Sequence, residues 1–312
     1  MQGIVIRNTG NSYVVRLEAG DEVSCKVKGN FRLKGIRTTN PVAVGDCVFV
    51  DFAEGGADTY YITKVAQRRN YIIRRASNLS KESHIIAANI DIAVLVATVS
   101  HPTTSTTFID RFLATAEAYG VTAALVFNKI DLLDEDWLEY LDAISYLYRS
   151  IGYKVLHCSA VHGDGLDVLR EYLQGKTALF AGNSGVGKTT LLNVLVPGID
   201  AKTAAISDAH DTGMHTTTFS EMYDLPGGGA IIDTPGVRGF GTIDMSKEEM
   251  SHYFPEMFAL ARDCRFANCT HTHEPGCAVL DALEDSRIAR SRYASYLSIL
   301  EDADQGKYRK PQ

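Results

Sequence analysis

Disulfide-forming cysteine, membrane-length apolar runs and targeting signals are scarce or missing in this sequence. Six cysteines among 312 residues are too few for a disulfide scaffold. No apolar run approaches the ~18 residues that a membrane span requires. The start, MQGIVIRNTGNSYVV, has no basic segment leading into an apolar stretch and a small-residue cleavage site, so a cytoplasmic protein is expected. Internal repeats and low-complexity segments are missing too. What remains is ordinary for a globular chain, with 45% hydrophobic and 22% charged residues. The length suits two or three domains.

The net charge of −7 argues weakly against a nucleic-acid partner, but it is unevenly spread. Residues 1–82 carry 13 Lys/Arg against 8 Asp/Glu, a net of +5, and the remainder carries −12. Two windows hold basic residues and no acids. One contains Lys26, Lys28, Arg32, Lys34 and Arg37, and the other contains Lys64, Arg68, Arg69, Arg74, Arg75 and Lys81. A solvated basic face is the plain reading. The asymmetry favours a polyanion contact, with Lys26, Lys28, Arg32 and Lys34 as the expected phosphate-neutralising, RNA-binding residues. Phe31 among them is a stacking residue or a core residue.

Short β-branched and aromatic segments fill the first ~70 residues, at 4–7, 13–18, 23–29, 47–52 and 60–65, with Asn, Gly and Asp clusters between them. Five such strands suit a small closed barrel, either an oligonucleotide-binding (OB) fold or an SH3-like one. From about residue 84 buried strands alternate with helices: strands at 91–97, 121–127, 154–160 and 177–182, and helices near 105–119, 134–151 and 165–174. That alternation predicts a parallel sheet covered on both faces. A hairpin through PGGG adds an antiparallel part. The expected architecture is therefore a front barrel at 1–72, an α/β core at 73–241 including a linker at 73–84, and a helical tail at 242–312 that holds a Cys/His cluster.

Gly182-Asn183-Ser184-Gly185-Val186-Gly187-Lys188-Thr189 satisfies the phosphate-loop pattern G-x-x-x-x-G-K-[ST]. It follows the strand TALFA and precedes a helix, the context that the pattern needs. Glycines let backbone N–H groups turn toward phosphates, and the following helix points its positive end at them. Lys188 would reach the β- and γ-phosphates and Thr189 would ligate Mg²⁺, with Thr190 completing the phosphate-binding set. Asn128-Lys129-Ile130-Asp131 ends another strand and selects the base. The Asp131 carboxylate can accept from guanine N1–H and the exocyclic amine together, a donor pair that adenine lacks. Ser159-Ala160 can offer a backbone N–H to the guanine carbonyl. Asp233-Thr234-Pro235-Gly236 follows 45 residues after Lys188. Asp233 would hold Mg²⁺ and the Gly236 N–H would sense the γ-phosphate. Thr216, Thr217 and Thr218 lie between, and Thr217 is the preferred magnesium-closing residue.

In common GTPases the phosphate loop comes first and NKxD and SA come last. Here NKID and SA come first, as if the chain had been cut between the DxxG and NKxD strands. Three further cysteines crowd with histidine in Cys264-x4-Cys269-x-His271-x5-Cys277. This supplies three thiolates and an imidazole, the closed donor set of a structural Zn²⁺ site, with His273 as the rival of His271.

The order NKID, SA, GNSGVGKT, GMHTTT and DTPG, after a barrel and before a Cys/His cluster, resembles the ribosome small-subunit-dependent GTPase family (RsgA, also called YjeQ). The resemblance spans nearly the whole chain. It implies an OB-fold RNA-binding domain, a circularly permuted GTPase core and a zinc-binding tail. It also implies GTP hydrolysis stimulated by the small ribosomal subunit, with a role in late maturation of that subunit. The residue after DxxG is Val237, where many GTPases place a water-orienting glutamine. His215 is then the catalytic candidate beside Lys188 and Thr217, and the family resemblance points to the same histidine; a plain surface histidine is the competing reading. Met214 stands where relatives tend to have a basic residue. Two other functions compete: a metabolic P-loop ATPase or kinase, which NKID and SA oppose, and a zinc- and RNA-binding assembly factor that binds GTP or GDP with negligible turnover. A monomer that touches no membrane is expected.

Overall fold

The computed structural model describes residues 1–10, 12–27, 41–52, 60–75, 83–199, 220–234, 247 and 249–304. Of the expected RNA-binding residues, Lys28, Arg32 and Lys34 lie outside these, as do Phe31, His215, Thr217, Gly236 and Val237.

The front of the chain folds into five strands: β1 (Gln2–Asn8), β2 (Tyr13–Leu17), β3 (Glu22–Val27), β4 (Cys47–Phe52) and β5 (Tyr60–Val65). They pair in the order β1-β2-β3-β5-β4, and β4 returns to β1, so the barrel is closed. That ring, with β3 and β5 parallel, is a five-stranded Greek-key barrel of the OB type. Alternation does the sorting. Val5, Tyr13, Val15, Cys25, Val48, Val50 and Ile62 point inward and form its core. Asp46 is fully buried, and Arg68 holds it through bonds of 2.6 and 2.7 Å.

A hairpin follows, β6 (Tyr71–Arg75) with β7 (Ser83–Ala88). The stretch 73–84, read from sequence as a linker, thus contributes to both strands. Ile85 and Ala88 pack with Ala43 and so close the hairpin against the barrel.

The central sheet contains β8 (Ile92–Ala97), β9 (Thr122–Phe127), β10 (Lys154–His157), β11 (Thr177–Ala181), β12 (Glu221–Asp224) and β13 (Ala230–Asp233). Their spatial order is β10-β9-β8-β11-β13-β12. All are parallel except β12, which forms the antiparallel hairpin with β13. Helices α1 (Thr106–Ala118), α2 (Glu135–Ile151), α3 (Leu166–Leu173) and α4 (Lys188–Leu195) cover it. Every residue of β8 is buried, because each face has its own layer. Ala93, Leu95 and Ala97 pack with α1 and α2, while Ile92, Val94 and Val96 pack with α3 and α4. Local chemistry sets the helix starts. Ser105 accepts from the Phe108 N–H at 3.3 Å, and Asp134 accepts from the Trp137 N–H at 3.0 Å.

Beyond the sheet lie α5 (Pro255–Ala261), α6 (Ala278–Glu284) and α7 (Arg290–Asp304). Their core of Met250, Phe254, Met257, Val279, Ile288 and Tyr296 also contains Ala114 of α1, so this tail docks on the sheet's own helix. A fully buried charge pair crosses the same contact: Arg292 donates to Asp110 of α1 at 2.7 Å and to Glu256 at 2.6 Å.

Candidate functional site

The C-terminal ends of β8, β9, β10, β11 and β13 all open on one edge of the sheet, where parallel α/β folds bind ligands. Asn128–Asp131, Ser159–Ala160, the phosphate loop and Asp233 all lie at this edge.

The phosphate loop runs from β11 into α4. Gly182 must be glycine because a Cβ there would lie 2.6 Å from the Val96 carbonyl oxygen of the neighbouring strand. Gly187 has φ +83, and its Cβ would meet the Asn128 amide nitrogen at 2.5 Å. A side chain at either position would push the loop off its support. Asn183 is half-buried and Ser184 and Gly185 are exposed, so the loop rim faces outward. Val186 is fully buried and fastens the loop to the core. Lys188, Thr189 and Thr190 open α4 with their N–H groups directed at the rim.

Asn128 is the strut of the site. Its amide donates to the Val186 carbonyl at 2.9 Å, and its side-chain oxygen accepts from the Ala160 N–H at 3.1 Å. One buried side chain therefore ties the phosphate loop, the NKID strand and the Ser159-Ala160 loop together. Ser159 is buried and accepts from the His162 N–H at 3.0 Å, which fixes that loop's turn. Lys129 has a left-handed backbone, φ +64, and donates to the His101 carbonyl at 2.7 Å. Asp131 carries a buried carboxylate oxygen with no protein partner. A buried, unpartnered acceptor costs about 1 to 3 kcal/mol, so this is an atom awaiting a donor.

Lys188 forms an ion pair with Asp233 at the end of β13. The lysine of the phosphate-loop motif and the aspartate of the DTPG motif are thus in direct contact, both largely shielded from water. The neighbouring Thr234 hydroxyl donates to the Phe180 carbonyl at 3.1 Å and holds the strand end beside β11.

A second site lies in the tail. The donor atoms of Cys264, Cys269, His271 and Cys277 all lie within 4.8 Å of one another. His271 Nδ1 stands 3.3 Å from the Cys277 sulfur and 3.6 Å from that of Cys264. The group includes His271; His273 instead bonds the Thr272 hydroxyl at the surface. Burial pushes the Cys269 thiol up to about 12, and burial also lowers His271. Two buried thiols and a half-buried one, crowded with a buried imidazole, suit a soft, tetrahedral cation. Tyr293 and Tyr296 of α7 brace this knuckle by donating to the His271 and Thr270 carbonyls at 2.8 and 2.6 Å.

Of the expected RNA-binding set, Lys26 is exposed on β3, opposite Tyr61 of β5. The second basic window is partly committed elsewhere, with Arg68 on Asp46 and Arg69 on Asp91 at 2.8 Å.

A family model described as RsgA GTPase matches residues 65–243, and one described as RsgA N-terminal domain matches residues 2–60. The chain belongs to the RsgA GTPase family. A small ribosomal subunit biogenesis GTPase RsgA of Bacteroides fragilis is 59% identical over 309 residues, 99% of each chain. The Porphyromonas gingivalis protein of the same name is 59% identical over 312 residues, again 99% of each. The crystal structure of YjeQ from Thermotoga maritima superposes with a TM-score of 0.78 at 34% identity, covering 99% of each chain. The structure of YloQ, described as a circularly permuted GTPase, gives 0.71 at 29% identity, covering 100% of this chain and 96% of that one.

The RsgA framework explains the swapped motif order, and this chain is a GTPase with a permuted core. Three features of the RsgA fold here escaped sequence reasoning: the strut role of Asn128, the turn at 98–104 beside the phosphate loop, and the Asp110–Arg292 pair. The last had a faint signal, a charged residue on the apolar face of α1. Among the described residues no helix is long and apolar enough to cross a membrane.

Proposed function

We propose that this protein is a GTP-hydrolysing switch in late maturation of the small ribosomal subunit, contacting rRNA through its barrel and stimulated by the subunit. The unpartnered carboxylate oxygen of Asp131, held beside the phosphate loop by the Asn128 strut, carries the reading. Guanine N1–H and its exocyclic amine are the donors that fit it; adenine would leave it unpaired. The phosphates take the N–H groups of Gly182 to Thr190 and the Lys188 amine. Thr189 and Asp233 hold Mg²⁺, and bound Mg·GTP replaces the Lys188–Asp233 ion pair with phosphate and metal contacts. Thr217 and the Gly236 N–H close over the γ-phosphate, and His215 orients the attacking water. Lys26, Lys28, Arg32 and Lys34 neutralise rRNA phosphates. Cys264, Cys269, His271 and Cys277 hold one structural Zn²⁺. The names of the full-length relatives support the ribosomal assignment, and the protein works in the cytoplasm as a monomer.

The test is GTP turnover by purified protein with small subunits, large subunits or neither. Slow intrinsic turnover raised only by small subunits is expected. Val237 in the usual glutamine position favours one alternative, an assembly factor that holds guanine nucleotide with negligible turnover. Turnover that stays negligible with every addition would establish that alternative instead.

A further inference from the structure

The segment between β8 and α1, residues 98–104, is a hydrogen-bonded turn beside the phosphate loop. Thr98 N–H donates to the Thr104 hydroxyl at 3.1 Å, and Thr104 N–H donates to the Thr98 carbonyl at 2.8 Å. The Thr98 hydroxyl closes the turn from inside by donating to the Pro102 carbonyl. Thr98, Ser100 and Thr104 are all buried, whereas His101 is exposed at the tip. Two contacts run from this tip into the site. Pro102 lies 3.4 Å from where a Gly185 Cβ would stand, so it supports the phosphate-loop rim from outside. The His101 carbonyl accepts from the Lys129 amine at 2.7 Å.

The backbone at His101 is left-handed, φ +51, a conformation that few non-glycine residues adopt. That twist sets where the 101 carbonyl points, and the Lys129 amine bonds to that carbonyl. The Lys129 stem then passes close to Gly187, with its Cε 3.7 Å from the Gly187 Cβ position. A nucleotide with its phosphates on 182–189 and its base at Asp131 must run past that stem. We propose that His101 is a positioning residue for guanine-nucleotide binding and acts through its backbone: the left-handed carbonyl anchors Lys129 along the site, whereas the imidazole Nδ1 bonds the Ser100 hydroxyl of its own turn at 2.6 Å. This rests on the GTP-binding reading above and assigns the 98–104 turn to the same site.

Two substitutions separate backbone from side chain. His101→Gly removes the imidazole and keeps access to positive φ, whereas His101→Val disfavours it. GDP affinity and release rate are measured by stopped-flow with a fluorescent guanosine diphosphate, beside ADP as control. Expected is near-wild-type binding for His101→Gly and about ten-fold weaker binding for His101→Val, through faster release. Lys129→Met must cost the same in the wild-type and His101→Gly backgrounds, and this arm holds even if His101→Val fails to fold. Equal behaviour of folded His101→Gly and His101→Val overturns the proposal. So does Lys129→Met binding GDP as wild type. Wild-type protein that holds GDP and ADP equally well would instead sink the GTP reading on which the proposal rests.

Discussion

At the scale of single residues, the two sites rest on atoms whose needs are chemically specific. Asp131 offers an acceptor where guanine offers donors. Asp131→Asn turns one acceptor into a donor, which repels the guanine amine and suits the 2-carbonyl of xanthine. Isothermal titration is expected to show GDP affinity falling at least about a hundred-fold while xanthosine diphosphate binding appears. In the tail, Cys269 is buried, and burial raises its thiol. Cys269→Ser should lose the bound metal in elemental analysis. It should also melt the tail first, because a structural zinc site contributes on the order of 10 kcal/mol to a small fold. Circular dichroism melts with and without chelator check this, with loss of α5–α7 helicity before the sheet. These residues were legible in sequence because each motif's spacing is short and local. Asn128 was legible as a motif member but not as a strut, since its partners Val186 and Ala160 are 58 and 32 residues away.

Among elements, the contact between α1 and α7 decides how the tail sits on the core. Arg292 is 1% exposed and faces Asp110 at 0%, with the Phe254 ring 4.6 Å from the guanidinium. A buried pair broken from one side leaves a stranded charge, and Arg292→Met is expected to cost about 3 to 5 kcal/mol. Adding Asp110→Leu should recover much of that, because the stranded charge goes too; urea unfolding of both variants tests it. Burial already pushes the Asp110 carboxyl up against the pull of Arg292. Without Arg292 that pull is gone, leaving the Ser295 and Tyr148 hydroxyls to oppose the push. A raised carboxyl is a stabilising contribution present below its unfolded value of about 4 and lost as pH rises through the folded one. The Arg292→Met deficit should therefore be smaller at about pH 5 than at about pH 8. The helices themselves were readable from apolar periodicity and caps, with ends off by a residue. The charge pair was not, because the stripe on α1 marks what faces inward and not which distant helix supplies the partner. The hairpin of β6 and β7 was read as a linker for a similar reason: its pairing spans the chain around it, and local composition resembles a basic connector.

For the whole molecule, cutting a GTPase sheet at a new place changes which parts are covalent neighbours. The order of β8, β9 and β10 ahead of the phosphate loop was plain in the sequence, since motif order needs no coordinates. A small closed barrel was expected from five short strands, but its ring order of β1-β2-β3-β5-β4 was not readable, because that order follows from long-range pairing. If the barrel reads rRNA through phosphates, affinity for a small-subunit rRNA fragment should fall steeply with salt. A log–log slope of roughly −3 to −4 matches the four proposed cations, and filter binding from about 50 to 200 mM salt measures it. A flat salt response would remove those cations from the interface.

The β1–β12 ladder that joins barrel to central sheet has one paired position, Arg7 with Glu221, flanked by the Arg16–Asp224 contact at 2.7 Å, and Ile6 and Val44 of the barrel also pack into the sheet's core with Met222 and Ile232. β12 starts directly after the segment holding His215 and Thr217 and turns back into the strand that ends at Asp233. A load on the barrel is therefore carried through that shared core and seam to the β12–β13 hairpin, which ends at Asp233.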